Sequence, residues 1–271
     1  MKEPVKIGHF FYGTALIVYG VQQFIYSNFR NVQFPAWQSY LPLLSIWAYL
    51  TGIGLVLAGV SISIGKRDKE AALLVGGIFL FLFLFVHIPF ELFGEVNSSL
   101  HLALWLDALK ELALSGGAFV MAGSFQESSV QARIMAPLRF LEKLTPLGST
   151  LFSIPMISFG IMHFLYADFV GTLVPTWWPD HLFWTYVTGV ALIAAGTAII
   201  LKIRQGIIGL LFSIMLLFWV ISLHIPRAID EPFAARGNEV SSAFDALAFC
   251  GITWVIALRT LRRDLKEIFT K

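Results

Sequence analysis

The chain has 271 residues, of which 57% are hydrophobic and 13% are charged, and its formal net charge is +2. A soluble domain of this length cannot bury so much apolar surface in one core, so the composition excludes a water-soluble globular protein and indicates a membrane protein. The near-neutral charge does not indicate a nucleic-acid partner, and a single cysteine excludes an internal disulfide and a cysteine-based metal or iron–sulfur site.

Eight apolar segments follow one another along the chain, each about as long as a membrane-spanning helix. They are continuous rather than alternating in character, which predicts helices. The expected fold class is all-α: a polytopic membrane helical bundle of about eight transmembrane helices, with the lipid bilayer as its main partner. The segments are residues 7–26, 43–64, 71–90, 104–123, 150–167, 183–202, 206–225 and 244–261.

The distribution of basic residues predicts the orientation of this bundle. With the N-terminus in the cytoplasm, most of the 19 lysines and arginines fall on the cytoplasmic side. The positive-inside rule therefore predicts a multi-pass protein of the inner (plasma) membrane with both termini in the cytoplasm.

An internal repeat divides the chain into two halves. The tripeptide His-Ile-Pro begins at His87 and again at His224, and "YGVQQFIYSNF" (Tyr19–Phe29) overlays "FGIMHFLYADF" (Phe159–Phe169). Each copy holds four segments, an even number, so the two four-helix repeats are expected to run parallel about an axis along the membrane normal. The predicted units are a first repeat (1–123), a cytoplasmic linker (124–149) and a second repeat with a basic tail (150–271).

The motifs of the repeat resemble a known family. The stretches "GIMHFLYADFV", "VPTWWP" and "WTYVTGVALIAAGTA" in the second half, and "KELALSGGAF" (Lys110–Phe119) in the first, are similar to the DoxX-like membrane proteins, each of which resembles one four-helix unit. The resemblance implies an integral membrane component of a redox system, since the family is named for a subunit of a quinol-linked oxidoreductase. It implies no particular catalytic residues.

Ionisable side chains gather on the predicted outer half of the bundle. Because charged groups within a membrane are costly, they are expected to face the bundle interior or a wet cavity. We therefore expect a polar pocket that opens to the outer face. The candidate binding residues are His87, His224, His163, Glu111, Lys110, Arg227 and Glu91.

The two His-Ile-Pro sites allow two interpretations. Proline disfavours helical geometry at the residue before it, so each helix is expected to fray or kink there, and each histidine then caps its helix end. Alternatively His87 and His224 face each other and bind haem iron, or a metal ion with His163 as a third ligand. A quinone site needs only one histidine, an acid and an aromatic slot. No sequence motif for metal ligation is present.

Two acids and several small residues have predicted structural roles in capping or packing the helices. For Asp245 we expect N-terminal capping of the last helix, whereas Glu111 lies deeper and is the better candidate for function. Gly116-Gly117 and the Gly54/Ala58 and Ala191/Ala195 pairs are interpreted as close helix contacts.

Three functions remain open from the sequence. The favoured one is a redox-linked membrane protein, an oxidoreductase or a subunit of one, that binds a quinone, haem or metal in the outer pocket. The second is a small-solute transporter, although the inner halves of the helices carry almost no ionisable groups. The third is a non-catalytic scaffold that binds another membrane or redox subunit.

Overall fold

A computed structural model describes residues 3–35, 40–65, 68–94, 101–125 and 136–269. Within these ranges the chain is helical, with no β-strand. The all-α fold class is confirmed.

Helices α1 to α5 make up the first half of the chain, and α6 lies in the region between the halves. Their bounds are α1 Glu3–Tyr26, α2 Leu44–Ile64, α3 Asp68–Leu82, α4 Ile88–Phe93, α5 Leu106–Ser124 and α6 Ala136–Glu142. The second half has the bounds α7 Gly148–Leu165, α8 Ala167–Leu173, α9 His181–Ile200, α10 Gln205–Trp219, α11 Ile225–Asp230 and α12 Asn238–Phe269. Short π-helical turns, Phe83–His87 and Val220–His224, join α3 to α4 and α10 to α11.

Six stretches of the described chain are long and apolar enough to cross a membrane, which identifies a multi-pass membrane protein. They are Leu44–Ile64, Asp68–Phe93, Leu138–Leu165, His181–Ile200, Gln205–Asp230 and Ala234–Leu261. The two remaining predicted segments coincide with α1 and α5. Helix α5 is less apolar because Asp107, Lys110 and Glu111 lie in its first two turns.

Large apolar side chains cover the outside of the helices. Ile78, Phe81, Val190 and Ile214 are each more than half exposed, on α3, α9 and α10. A water-soluble fold would bury such side chains, whereas hydrocarbon solvates them. The exposed faces therefore fit contact with a lipid bilayer.

The helices pack in antiparallel pairs around a central contact. Helix α1 packs on α2 and α12, α7 packs on α9 and α5, α3 packs on α5, and α10 packs on α12. Helices α5 and α12 also touch each other. In the apolar part of the last candidate span 72% of the residues are buried, compared with 28% to 39% in the other five, so α12 lies in the middle of the bundle.

Glycines permit the closest of these contacts. A Cβ atom added at Gly20 would lie 2.5 Å from the Gly52 carbonyl oxygen, and one at Gly160 would lie 2.7 Å from that of Gly189. The predicted close contact at Gly116 is confirmed, because its Cβ would lie 2.4 Å from the Phe152 nitrogen. The same prediction for Gly54 is wrong, since a Cβ there meets no atom within 4 Å among the described residues.

The start of α1 lies beside the middle of α12. The Trp254 indole N–H on α12 donates a hydrogen bond to the Pro4 carbonyl at the start of α1, at 2.7 Å. In the predicted linker, residues 126–135 lie outside the described ranges. Its described part contains α6, which an ion pair between Lys69 and Glu142 joins to the start of α3.

Candidate functional site

Both His-Ile-Pro sequences lie where a π-turn gives way to an α-helix. His87 and His224 each end a π-turn, and the prolines that follow occupy the first turn of α4 and of α11. In each π-turn the N–H of the following isoleucine bonds to a carbonyl five residues earlier, Ile88 to Phe83 and Ile225 to Val220, and this wider turn accommodates a proline that has no N–H to donate. The helices therefore continue past both prolines instead of fraying at them.

A cavity of about 550 Å³ lies between α5 and the helices of the second half. Its walls come from α5, α7, α8, α9, α10 and α12, toward the end opposite the chain termini. Most of the lining is apolar, and its aromatic members include Phe159, Tyr166, Trp184, Trp219 and Phe249. This volume and lining are typical of sites for small organic ligands.

Four ionisable side chains line the same cavity. They are Lys110, His163, His224 and Asp245. The His163 Nδ1–H donates to the Phe159 carbonyl at 2.7 Å, one turn earlier on α7. The His224 ring has no hydrogen-bond partner within the part of the chain that the structure describes.

Asp245 is the centre of a buried polar network. Its carboxylate accepts a hydrogen bond from the Tyr19 hydroxyl at 2.6 Å, and it pairs with Arg30 at 3.2 Å and Lys110 at 3.3 Å. Helix α12 begins at Asn238, two turns earlier, so the expected capping role of Asp245 is wrong. Two cations and a phenol instead compensate a carboxylate that is almost fully removed from solvent.

The network continues from Arg30 toward the surface. The Arg30 Nε–H donates to Ser241 Oγ at 2.9 Å, and the Ser241 hydroxyl donates to Gln22 Oε1 at 2.9 Å. The Arg30 guanidinium also lies 3.8 Å from the centre of the Tyr19 ring, a cation–π contact. Burial alone would lower the pKa of Arg30, but the Asp245 carboxylate outweighs burial and raises that pKa, so the guanidinium stays charged. Arg30, Gln22 and Ser241 line a polar cleft of about 50 Å³.

The histidine of the first half has a different environment. His87 is fully buried, and its Nε2–H donates to the Val32 carbonyl at 2.8 Å. It is not among the residues that line the cavity. Glu91 is buried one turn later, on the continuous helix.

The three candidate histidines do not form one metal-binding group. His163 and His224 line the same cavity, whereas His87 is bound to Val32 in the other half. Among the residues that the structure describes, no three or more His, Cys, Asp or Glu side chains are grouped as a metal ion requires.

The remaining candidates separate into one isolated acid and one ion pair. Glu111 is fully buried on α5, and neither of its carboxylate oxygens has a hydrogen-bond partner among the described residues. Arg227 makes two hydrogen bonds to Glu239, at 2.8 and 3.0 Å, and does not line the cavity.

Sequence reasoning missed the partners of Asp245, although the overlay of the two halves holds a signal for them. Tyr19 aligns with Phe159, and Lys110 aligns with Phe244. In the sequence overlay, polar residues of the first half thus align with apolar residues of the second half. Such a difference at a membrane depth where polar groups are costly marks a position with a buried partner.

The cavity and the network meet at Lys110 and Asp245, which belong to both. Together they form an aromatic-rich apolar cavity whose lining also holds hydrogen-bond donors and acceptors. No protein-family model matches the chain, and neither does any curated protein or solved structure.

Proposed function

We propose that the chain consists of two tandem four-helix units with eight membrane spans, as the sequence overlay predicts. Three observations support this. The pairing of α1 with α2 and α12 is mirrored by that of α7 with α9 and α5. The contact of Gly20 with Gly52 is mirrored by that of Gly160 with Gly189. A π-turn ends at the histidine of each His-Ile-Pro.

We further propose that the protein binds a quinone in the cavity between α5 and the second-half helices, as a component of a redox-linked membrane system. The observation that carries this proposal is the aromatic-rich cavity of about 550 Å³ whose lining includes Lys110, His224 and Asp245. A quinone needs a flat apolar slot for its ring and a few polar groups for its oxygens. The resemblance to the DoxX-like family favours the same class of ligand.

The alternatives of haem and metal have less support. Axial ligation of haem by the two repeated histidines would need both rings in one cavity, whereas His87 donates to Val32 elsewhere in the bundle. The absence of a grouped ligand set among the described residues argues against a metal ion. A quinone is bound without either arrangement.

The experiment measures quinone bound to the protein in detergent and in lipid nanodiscs, with empty nanodiscs as the blank. Solvent extraction of protein purified in mild detergent, followed by mass spectrometry, is expected to yield quinone in stoichiometric amount. In lipid nanodiscs, menadione is expected to be retained saturably by the protein above the level in empty nanodiscs. Retention equal to that of empty nanodiscs, together with no extracted quinone, overturns the proposal.

A matched pair of variants locates the binding. Thr188 lines the cavity, whereas Val190, on the same helix, is 56% exposed. We expect Thr188→Phe to fill the cavity and abolish saturable retention, and Val190→Phe to leave it unchanged. Equal retention by both variants places the bound compound outside the cavity.

A further inference from the structure

The two His-Ile-Pro histidines occupy equivalent positions but differ in what they contact. Each ends a π-turn and is followed by a short helix that begins with Ile-Pro. His87 donates its Nε2–H to a carbonyl oxygen of its own chain. His224 lines the cavity and has no hydrogen-bond partner among the described residues.

The carbonyl at His87 comes from the loop that follows α1. Val32 and Gln33 are buried there, and a turn in which the Gln33 N–H donates to the Arg30 carbonyl at 3.0 Å holds the loop inside the bundle. The Val32 carbonyl thereby reaches the imidazole at 2.8 Å.

The corresponding stretch of the second half takes another path. After α7 the chain forms α8, Ala167–Leu173, whose residues Val170 and Leu173 contribute to the cavity wall. The space beside the imidazole is therefore open as part of the cavity.

An unpartnered imidazole in such a place is costly. His224 is half-buried, and a ring N–H that faces an apolar cavity without a partner has lost part of its hydration without a new hydrogen bond. In the first half the protein supplies the missing acceptor itself. In the second half, an apolar cavity with room for a small molecule lies beside the same group.

We infer that a carbonyl oxygen of the ligand accepts a hydrogen bond from His224, as the Val32 carbonyl does from His87. This inference rests on the proposed function and deepens it. In the first half, the hydrogen bond from His87 to the Val32 carbonyl is the equivalent of the proposed hydrogen bond from His224 to the ligand. The ligand is then a lipophilic molecule with a ring carbonyl, and His224 selects it over a hydrocarbon of the same shape.

The test compares menadione with methylnaphthalene, the same ring system without carbonyl groups, by retention on nanodiscs with empty nanodiscs subtracted. We expect the wild-type protein to retain menadione more tightly. We expect His224→Phe to weaken the binding of menadione about tenfold, which corresponds to the loss of one hydrogen bond. The affinity for methylnaphthalene should not change. His224→Gln, which keeps a donor, is expected to restore most of the difference. His101→Phe, at an exposed histidine that does not line the cavity, is the control.

A second measurement covers the case in which His224→Phe does not fold. The isotope-edited carbonyl stretching band of menadione bound to the wild-type protein is expected at lower wavenumber than in empty nanodiscs. Saturable binding of both compounds with equal affinity and an unshifted band overturns the inference and leaves the cavity intact. Failure of the wild-type protein to retain either compound instead overturns the proposed function.

Discussion

The Tyr19 hydroxyl donates a hydrogen bond of 2.6 Å to Asp245 Oδ1, across 226 positions of the chain. This contact joins α1 to α12, the first long helix to the last. With Arg30 and Lys110 on the same carboxylate, every described partner of Asp245 comes from the first half of the chain. Asp245 therefore holds the two halves together at the depth of the cavity.

Replacement of this carboxylate is expected to destabilise the protein strongly. Asp245→Asn leaves two buried cations without their counter-charge, for which about 3–5 kcal/mol is a typical loss. Thermal unfolding in detergent measures the effect as a lower midpoint. Glu239→Gln is the control, because its ion pair with Arg227 is partly exposed and contributes at most about 1 kcal/mol. Equal midpoints for the two variants contradict a central role for Asp245.

Replacement of Glu111 is not expected to lower the stability of the protein, in contrast to replacement of Asp245. Its two carboxylate oxygens have no hydrogen-bond partner among the described residues, so Glu111→Gln breaks no hydrogen bond and exchanges one unpartnered buried group for another that carries no charge. The unfolding midpoint should stay the same or rise. A fall comparable with that of Asp245→Asn shows that Glu111 carries an essential charge.

Two glycines on α2 provide a matched test of helix packing. A Cβ at Gly59 would lie 2.4 Å from the Gly13 carbonyl oxygen, a distance that forces α1 and α2 apart. Gly59→Ala is therefore expected to lower stability by roughly 1–3 kcal/mol, as overpacked contacts do. Gly54→Ala meets no neighbour and should be neutral, or stabilising by up to about 1 kcal/mol through helix propensity. Denaturant titration of the two variants, with identical chemistry, separates packing from propensity.

Cysteine labelling tests the predicted orientation. Cys250 is a free, buried cysteine, and Cys250→Ala provides a background in which an introduced cysteine is the thiol that is labelled. The exposed residues Thr176 and Lys202 lie at opposite ends of α9. With the termini in the cytoplasm, a membrane-impermeant maleimide applied to whole cells should label Thr176→Cys and should label Lys202→Cys only after lysis. The reverse pattern contradicts the orientation predicted from the basic residues.

The length and continuity of the apolar segments were sufficient to predict the helices but not the loops between them. Each predicted segment coincides with a helix because, in hydrocarbon, a long apolar stretch has few other ways to satisfy its backbone. The contact of His87 with Val32 was not predictable, since its acceptor is a main-chain carbonyl and carries no side-chain signature.

The site was predicted in part. His163, His224 and Lys110 do line one cavity, whereas Arg227 is paired with Glu239 and His87 lies in the other half. The capping role of Asp245 failed because α12 begins at Asn238, earlier than the apolar run that marks it in sequence. The polar residues before that run belong to the helix and lie against the first half.

The π-turn before each His-Ile-Pro has an evolutionary consequence. Such a turn is an α-helical turn with one residue inserted, and the insertion rotates all that follows by about 100°. On the proposed repeat, its occurrence in both halves means that the insertion is older than the gene duplication. The ancestral four-helix protein then already had a histidine at the end of a π-turn. On the proposed function, the two halves later diverged in whether a main-chain carbonyl or a bound ligand accepts the hydrogen bond of that histidine.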